Sequence, residues 1–473
     1  MFNKDSHWCL EADYMEKNNS ILFNSISNFV FNNFENKKYI LGTAEPTFST
    51  NENLNEVVEA MLKVDSEKKD IIKKALSSNN YFLIQGPPGT GKTSFILRYL
   101  TQILFSHTLE NVLLLAYTNR AVDEICSNLA KIKTIFPHFD FIRFGNKDNT
   151  KYADNLLSNI DIENIEDRID NCRIFVSTVH TANSHSEIFE IKNIDTIIVD
   201  EAAQILESHL IGLLSKTKRF IMIGDEKQLP PISILNEKYL NVNDELLNQI
   251  ELNHLKNSLF ERLLMVCKKN NFPAFALLSK QCRMSEQIMS LINDLFYDDK
   301  LVLGDLDKNL ISLDFIEDTK DCFFINTPIE PFSKVNNTEI EIILKLIANI
   351  KKHIDLVPQT LGIISPWRMQ CSAILNKLSE DDKKVISVDT VERFQGSERD
   401  IIIFSAATNS TSLLDMLSDF SKIDDIVVDR KLNVAITRAK KKFILLGNTD
   451  ILYQNSIYKK LIDRLEKIEY PIC

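Results

Sequence analysis

The chain has 473 residues, 44% hydrophobic and 26% charged, which is an ordinary composition for a soluble globular protein of two to four domains. A formal net charge of −11 excludes a surface coated in cations, but it leaves room for a local basic track, because phosphate binding depends on where the cations sit. No apolar run approaches the roughly 20 residues of a membrane-spanning helix, and the first residues lack the apolar core of a signal peptide. The eight cysteines contain no C-x-x-C pair, so a zinc ribbon or iron–sulfur cluster is not indicated. Reduced thiols in a cytoplasmic protein, with no membrane involvement, are the expectation.

Residues 1–61 read as a helical accessory segment, with apolar clusters at Ile21–Phe23 and Phe29–Phe31 among Asn and Ser. Gly42–Thr47 reads as a loop, and a helix is expected from Val57 through Leu76, with Asp65 and Ser66 as candidate internal caps. The strand-type run Tyr81–Gln85 then leads into Gly86-Pro87-Pro88-Gly89-Thr90-Gly91-Lys92-Thr93, and Ser94–Leu100 carries apolar residues at helical spacing. Strand, glycine loop and helix in that order form a phosphate-binding loop. Gly86, Gly89 and Gly91 let backbone N–H groups curl around an anion, and the helix aims its N-terminal donors at the same phosphates. Lys92 reaches the β- and γ-phosphates of ATP, and the Thr93 hydroxyl completes a Mg²⁺ shell. The plainer alternative is a glycine turn with a chance lysine.

Asn111–Tyr117, Phe139–Gly145, Arg173–Thr178, Thr196–Asp200 and Arg219–Asp225 follow as strand patterns ending in polar residues, with a polar, acidic insertion over 146–170. Strands alternating with helices describe a parallel sheet covered on both faces, with ligands at its carboxyl edge. The pattern restarts at Thr360–Pro366, Ile401–Ser405 and Lys442–Gly447. Domains are therefore expected at 62–270 and 271–473, the boundary falling by the polar stretch Lys268–Pro273. The second α/β domain has no phosphate loop of its own, which suggests a cleft closing over the nucleotide of the first.

Two further motifs complete an ATPase site. In Ile197–Gln204, Asp200 at the strand end would hold Mg²⁺ and Glu201 would orient and deprotonate the attacking water; the alternative is a charged cap after a buried strand. In Gly224–Pro231, Gln228 is placed to hydrogen-bond the γ-phosphate or its water. Leu278–Met284, Val391–Glu398 and Asn433–Ala439 extend the ordered set.

Together these stretches, over about residues 62–450, resemble superfamily 1 helicases, in the branch of senataxin, the RNA helicase of nonsense-mediated decay and the replication nuclease–helicase. The resemblance implies two RecA-like P-loop NTPase domains with ATP in the cleft between them. It implies an ATP-dependent helicase or translocase acting on single-stranded DNA or RNA and moving 5′ to 3′. Arg283 and Arg438 correspond to paired arginine fingers, for which surface ion pairs are the alternative. Gly396 and Glu398 match positions near ribose and phosphates, and Gln395 serves the same coupling. Pro87, Pro88, Thr90 and Ser94 belong to the nucleotide loop.

Nucleic-acid contacts in this family come from strand-end loops, here Thr118, Asn119, Arg120, Ser177, Thr178, Ser365, Pro366, Trp367, Arg368, Thr390 and Val391. Small hydroxyls and amides there would hold phosphates irrespective of sequence. Trp367 either stacks a base or is a core tryptophan, and Arg143–Gly145 is either a contact or a plain strand end. Three departures stand out. Lys68 occupies the place of a base-reading glutamine, and Cys282 that of a tyrosine, so weak base discrimination is expected. Only about 60 residues precede the motor, so strand-separating accessories look minimal. The rival from another class is a nucleotide switch, independent of nucleic acid, that gates a protein partner.

Overall fold

A computed structural model of the chain describes residues 14–50, 52–62, 66–145, 152–159, 165–233, 236–306, 320–331, 334–423 and 426–469. They form two compact units. One comprises the described parts of Met1–Ile84, Thr93–Ile223 and Pro231–Ala276; the other comprises those of Gln85–Lys92, Gly224–Pro230 and Leu277–Cys473.

The first sheet has seven strands: β1 (Tyr81–Gln85), β2 (Val112–Ala116), β3 (Ile142–Arg143), β4 (Ile174–Thr178), β5 (Thr196–Val199), β6 (Arg219–Gly224) and β7 (Phe275–Leu277), in the order β3-β4-β2-β5-β6-β1-β7. The β3–β4, β4–β2, β2–β5 and β5–β6 pairs are all parallel. Strands β1, β2, β4, β5 and β6 are buried at every residue, as expected where helices cover both faces. Tyr81 and Leu83, Leu113 and Leu115, and Phe220 and Met222 send alternate side chains into one apolar core with the helices Leu259–Asn270 and Glu207–Leu214.

The second unit opens with a short parallel pair, β8 (Lys280–Gln281) and β9 (Val302–Leu303). Its main sheet comprises β10 (Cys322–Asn326), β11 (Leu361–Ser365), β12 (Ser387–Thr390), β13 (Arg399–Ser405), β16 (Ala439–Gly447) and β17 (Glu466–Ile468), ordered β12-β11-β13-β16-β10-β17 and parallel throughout. A hairpin of β14 (Phe420–Ile423) and β15 (Ile426–Asp429) lies outside it. Ile402, Phe404, Phe443 and Leu445 fill one core, while Ile401, Ile403, Ile444 and Leu446 fill another on the opposite face. That period of two is what a sheet covered on both sides requires.

Several elements differ from the sequence reading. The helix expected over Val57–Leu76 is two helices, Glu52–Met61 and Ser66–Ser77, and Asp65 lies outside the described residues. Of Phe139–Gly145 only Ile142–Arg143 is strand. Within 146–170 the described residues include short turns at Ala153–Asn155 and Leu157–Asn159 and the start of the helix Ile165–Asn171. Strand β7 joins the first sheet beyond the expected boundary at 270/271, and the chain passes into the second unit for the last time at Leu277. Strand β10 was not singled out, although Cys322–Asn326 is a short apolar run. No helix among the described residues is long and apolar enough to cross a membrane.

Candidate nucleotide site and strand-end loops

The glycine loop leaves β1 under tight backbone constraint. Gly86 N donates to Gly224 O at 2.8 Å, Leu278 N to Gln85 O at 2.8 Å, and Cys282 N to Gly89 O at 2.9 Å. Gly89 and Gly91 have φ of 79° and 86°, the left-handed region where a side chain is strained. A Cβ on Gly89 would sit 2.6 Å from Arg283 Cβ, and one on Gly86 would strike the Lys92 side chain. Thr90 Oγ1 donates to Pro87 O at 2.7 Å, closing the turn. Pro87, Pro88, Lys92 and Thr93 are buried and Ser94 is exposed. After the loop the chain makes one π-helical stretch, Lys92–Leu97, before the α-helix Arg98–His107, where the sequence suggested a plain helix.

Strand β5 delivers the carboxylates. Asp200 N donates to Leu115 O at 2.8 Å, extending the β2–β5 ladder, and the residue is 1% exposed. Thr93 Oγ1 donates to Asp200 Oδ2 at 2.6 Å. Glu201 turns the chain with φ 50°, its N–H donating to Asp200 Oδ1 at 3.0 Å, while Gln204 Nε2 holds Glu201 Oε2 at 3.0 Å. A hydroxyl and a carboxylate within hydrogen-bond distance fit a hard cation such as Mg²⁺, which takes its remaining ligands from phosphates and water. Among the described residues no group of three or more His, Cys, Asp or Glu could hold a metal, and this donor set needs none.

The other phosphate-reading candidates pair with one another. Gln228 Nε2 donates to Asp225 Oδ2 at 2.8 Å, and its Oε1 accepts from Arg438 Nη2 at 3.3 Å. Arg438 also donates from Nε to Val434 O at 3.1 Å and from Nη1 to Ser397 O at 3.4 Å. Arg283 Nε meets Glu398 Oε2 at 2.6 Å, and Lys440 Nζ meets Glu398 Oε1 at 2.6 Å. Burial alone would raise the Glu398 carboxyl, but the Arg283 and Lys440 cations hold it below the usual carboxylate range. Gly396 has φ 74° with open space around it, and Gln395 Nε2 is buried with no hydrogen-bond partner among the described residues. Lys68 is 9% exposed, with Nζ 5.2 Å from the centre of the Phe95 ring.

The strand-end threonines serve first as helix caps. Thr118 Oγ1 accepts from Ala121 N at 3.2 Å and Thr178 Oγ1 from Thr181 N at 3.1 Å, starting the helices Asn119–Ile135 and Val179–Ser184. Because Ala116 pairs with Thr178, both loops leave the carboxyl edge of neighbouring strands. Thr118, Asn119 and Arg120 are exposed, whereas Ser177 and Thr178 are buried. In the second sheet Ser365 pairs with Thr390, which likewise sets Pro366–Arg368 beside Thr390–Val391. Arg368 is exposed; Thr390 and Val391 are buried.

Trp367 is 6% exposed, and its Nε1 donates to Ala406 O at 2.9 Å. Its indole is a core group here, so it presents no open stacking face; Lys334 Nζ lies 4.9 Å from the ring centre. Arg143 is buried and paired with Asp123, the plain strand-end alternative. Two polar residues that no motif drew out, Tyr297 and Glu339, are buried beside these groups, as is Asn433, which opens the Asn433–Ala439 stretch but was given no role there. They are distant in sequence from the residues they bond, so spacing carried no signal for them.

Two family models, each described as an AAA domain, match residues 68–233 and 255–450. Over 449 residues the chain is 31% identical to the DNA replication ATP-dependent helicase/nuclease DNA2 of Bos taurus, covering 87% of this chain and 39% of that protein. The chain belongs to the superfamily 1 helicases. Among other superfamily 1 relatives, it is 26% identical to the DNA polymerase alpha-associated DNA helicase A of Saccharomyces cerevisiae, over 86% of this chain and 68% of the other. It is 27% identical to the uncharacterized ATP-dependent helicase MJ0104 of Methanocaldococcus jannaschii, over 86% and 71%. The chain thus spans about two fifths of the length of the DNA2 relative, and the two AAA-domain matches cover every strand of the two main sheets except β17.

Proposed function

We propose that the chain is an ATP-driven translocase that tracks along single-stranded nucleic acid, 5′ to 3′. The Thr93–Asp200 pair behind a glycine loop closed at Gly89 and Gly91 carries the reading. Backbone N–H groups of Gly89–Thr93 cradle the phosphates, and Lys92 neutralises the β- and γ-oxygens. Thr93 and Asp200 would hold Mg²⁺, whose charge would offset that of the phosphates. Glu201, kept in place by Gln204, orients the attacking water and takes its proton. Arg283 and Arg438 meet the charge that spreads over the transferring phosphoryl group, with Gln228 next to Arg438 sensing the γ-phosphate. Gly396 and Glu398 carry nucleotide state into the second unit.

Exposed Thr118, Asn119, Arg120 and Arg368, with the strand-end loops at Thr178, Pro366 and Thr390, supply sequence-independent phosphate contacts. Free thiols, five of the six described ones buried, support a reducing, cytoplasmic setting. The test is nucleotide turnover with no polymer, with single-stranded DNA and with single-stranded RNA at matched low salt. Stimulation by at least one polymer, lost in Lys92→Ala, is expected. Turnover indifferent to both would replace the translocase with a switch acting on a protein partner. Lys68 against Phe95 in place of a base-reading amide further predicts GTP or CTP turnover within about tenfold of ATP, and strong ATP preference would refute that part.

A further inference from the structure

The polar groups behind Gln228 and Arg438 form a closed, dry ring inside the second unit. Asp225 Oδ2 accepts both Gln228 Nε2 at 2.8 Å and the Tyr297 hydroxyl at 2.7 Å, while Asp225 Oδ1 accepts Lys227 N at 3.2 Å. The Tyr297 oxygen in turn accepts from Asn433 Nδ2 at 3.0 Å, and the same amide donates to Lys227 O at 2.7 Å. Lys227 Nζ donates to Phe296 O at 2.7 Å and lies 5.2 Å from the centre of the Tyr297 ring. Asn433 lies on the helix Arg430–Thr437, which Arg438 directly follows, so the ring returns to its starting point. Every member is nearly water-free: Tyr297 is 2% exposed, Asp225 1%, Gln228 4%, Asn433 0% and Arg438 3%.

A glutamine amide has one donor end and one acceptor end, and which end faces an arginine depends on what fixes the other. Here Asp225 fixes the donor end, so Oε1 is left for Arg438. The carboxylate is itself held by the Tyr297 hydroxyl. Burial and the neighbouring Asp225 charge push the Tyr297 phenol well above its ordinary value, so it keeps its proton and stays a donor.

We propose that Tyr297 is a positioning residue for phosphate chemistry: through Asp225 it orients the Gln228 amide toward Arg438, and through Asn433 it ties that orientation to the helix that delivers Arg438. This rests on the ATPase reading of the site. A nucleotide that draws Arg438 onto its γ-phosphate releases Gln228 Oε1 in an orientation already set to accept from the attacking water. The ring makes that orientation independent of whether the arginine is engaged.

Tyr297→Phe removes one oxygen and keeps the ring. We expect its polymer-stimulated kcat to fall about 10- to 100-fold, as misplacement of a positioning group does. KM for ATP and the affinity for ADP should stay within about twofold, while binding of ADP with aluminium fluoride, a mimic of the transferring phosphoryl group, should weaken in parallel with kcat. In a Gln228→Ala background the same change should add little, because the two act as one unit. A lowered melting midpoint with unchanged kcat, or full additivity with Gln228→Ala, would make Tyr297 a packing residue only and overturn the proposal. Should the unsubstituted chain neither turn over nor bind ATP, the ATPase reading itself falls, and this inference with it.

Discussion

Glu201 stands at φ 50°, a backbone conformation that costs a side-chain-bearing residue about 1 kcal/mol and that glycine adopts freely. The strain buys a position: it turns the carboxylate off the end of β5, where Gln204 holds it. Glu201→Gln and Glu201→Gly are both expected to lose at least about 10³-fold in turnover while still binding ATP, and the glycine variant should melt no earlier than the parent. A glycine variant that melted several degrees lower would assign Glu201 a structural task instead; turnover assays and thermal melts check both. The pairing of Thr93 with Asp200 was legible in the sequence because each ends a short motif, one in the loop after β1 and the other directly after β5. The environment of Trp367 was not legible, because its Nε1 partner, Ala406 O, comes from a strand end 39 residues away. Tyr297 was hidden for the same reason, its Asp225 partner being 72 residues upstream.

At the scale of elements, alternating apolar strands and polar strand ends were enough to anticipate two parallel sheets. What they could not show was how distant elements are pinned. Arg262, on the helix Leu259–Asn270, has a fully buried side chain. It meets both Glu207 oxygens at 2.7 Å and donates to Ile40 O at 2.6 Å, Leu41 O at 3.2 Å and Ile250 O at 3.1 Å. One guanidinium therefore joins the segment at Ile40–Leu41, the helix Glu207–Leu214 and the loop at Ile250, and in the sequence it is one cation among many. Arg262→Met leaves Glu207 and three carbonyls without their cation, with an expected loss of about 3–5 kcal/mol. Chemical denaturation read from the first unit checks this, and nucleotide chemistry should persist below the shifted midpoint.

Over the whole molecule, parallel sheets make the two edges chemically distinct. In the second sheet Glu398 and Arg438 precede β13 and β16, at the amino edge, while Pro366–Arg368 and Thr390 lie at the carboxyl edge. Strands of seven and nine residues put roughly 20–30 Å between those edges. Under the carboxyl edge lies Glu339, fully buried, accepting from Ser405 Oγ at 2.6 Å, Thr327 Oγ1 at 3.2 Å and Ala407 N at 3.1 Å. Burial raises its carboxyl to about 7 against the opposing pull of those donors. The folded protein then binds more protons than the unfolded chain between about pH 4.5 and 7. This group's contribution to stability is present in full below that window, is lost as pH rises through it, and is flat above. Denaturation midpoints across pH 5 to 8 should carry that slope, and Glu339→Gln should flatten it.

Cys282 is the exposed thiol among the six described cysteines, and it adjoins Arg283. Burial pushes Cys126 and Cys371 up to about 12 and Cys172 and Cys267 up to about 11, and raises Cys322 further still. Those five are therefore poor thiolates as well as inaccessible. With Cys9 and Cys473 replaced, an environment-sensitive dye attached by maleimide chemistry lands on one sulfur, next to Arg283. The chain thus carries its own labelling point for following the binding of ATP by stopped-flow fluorescence.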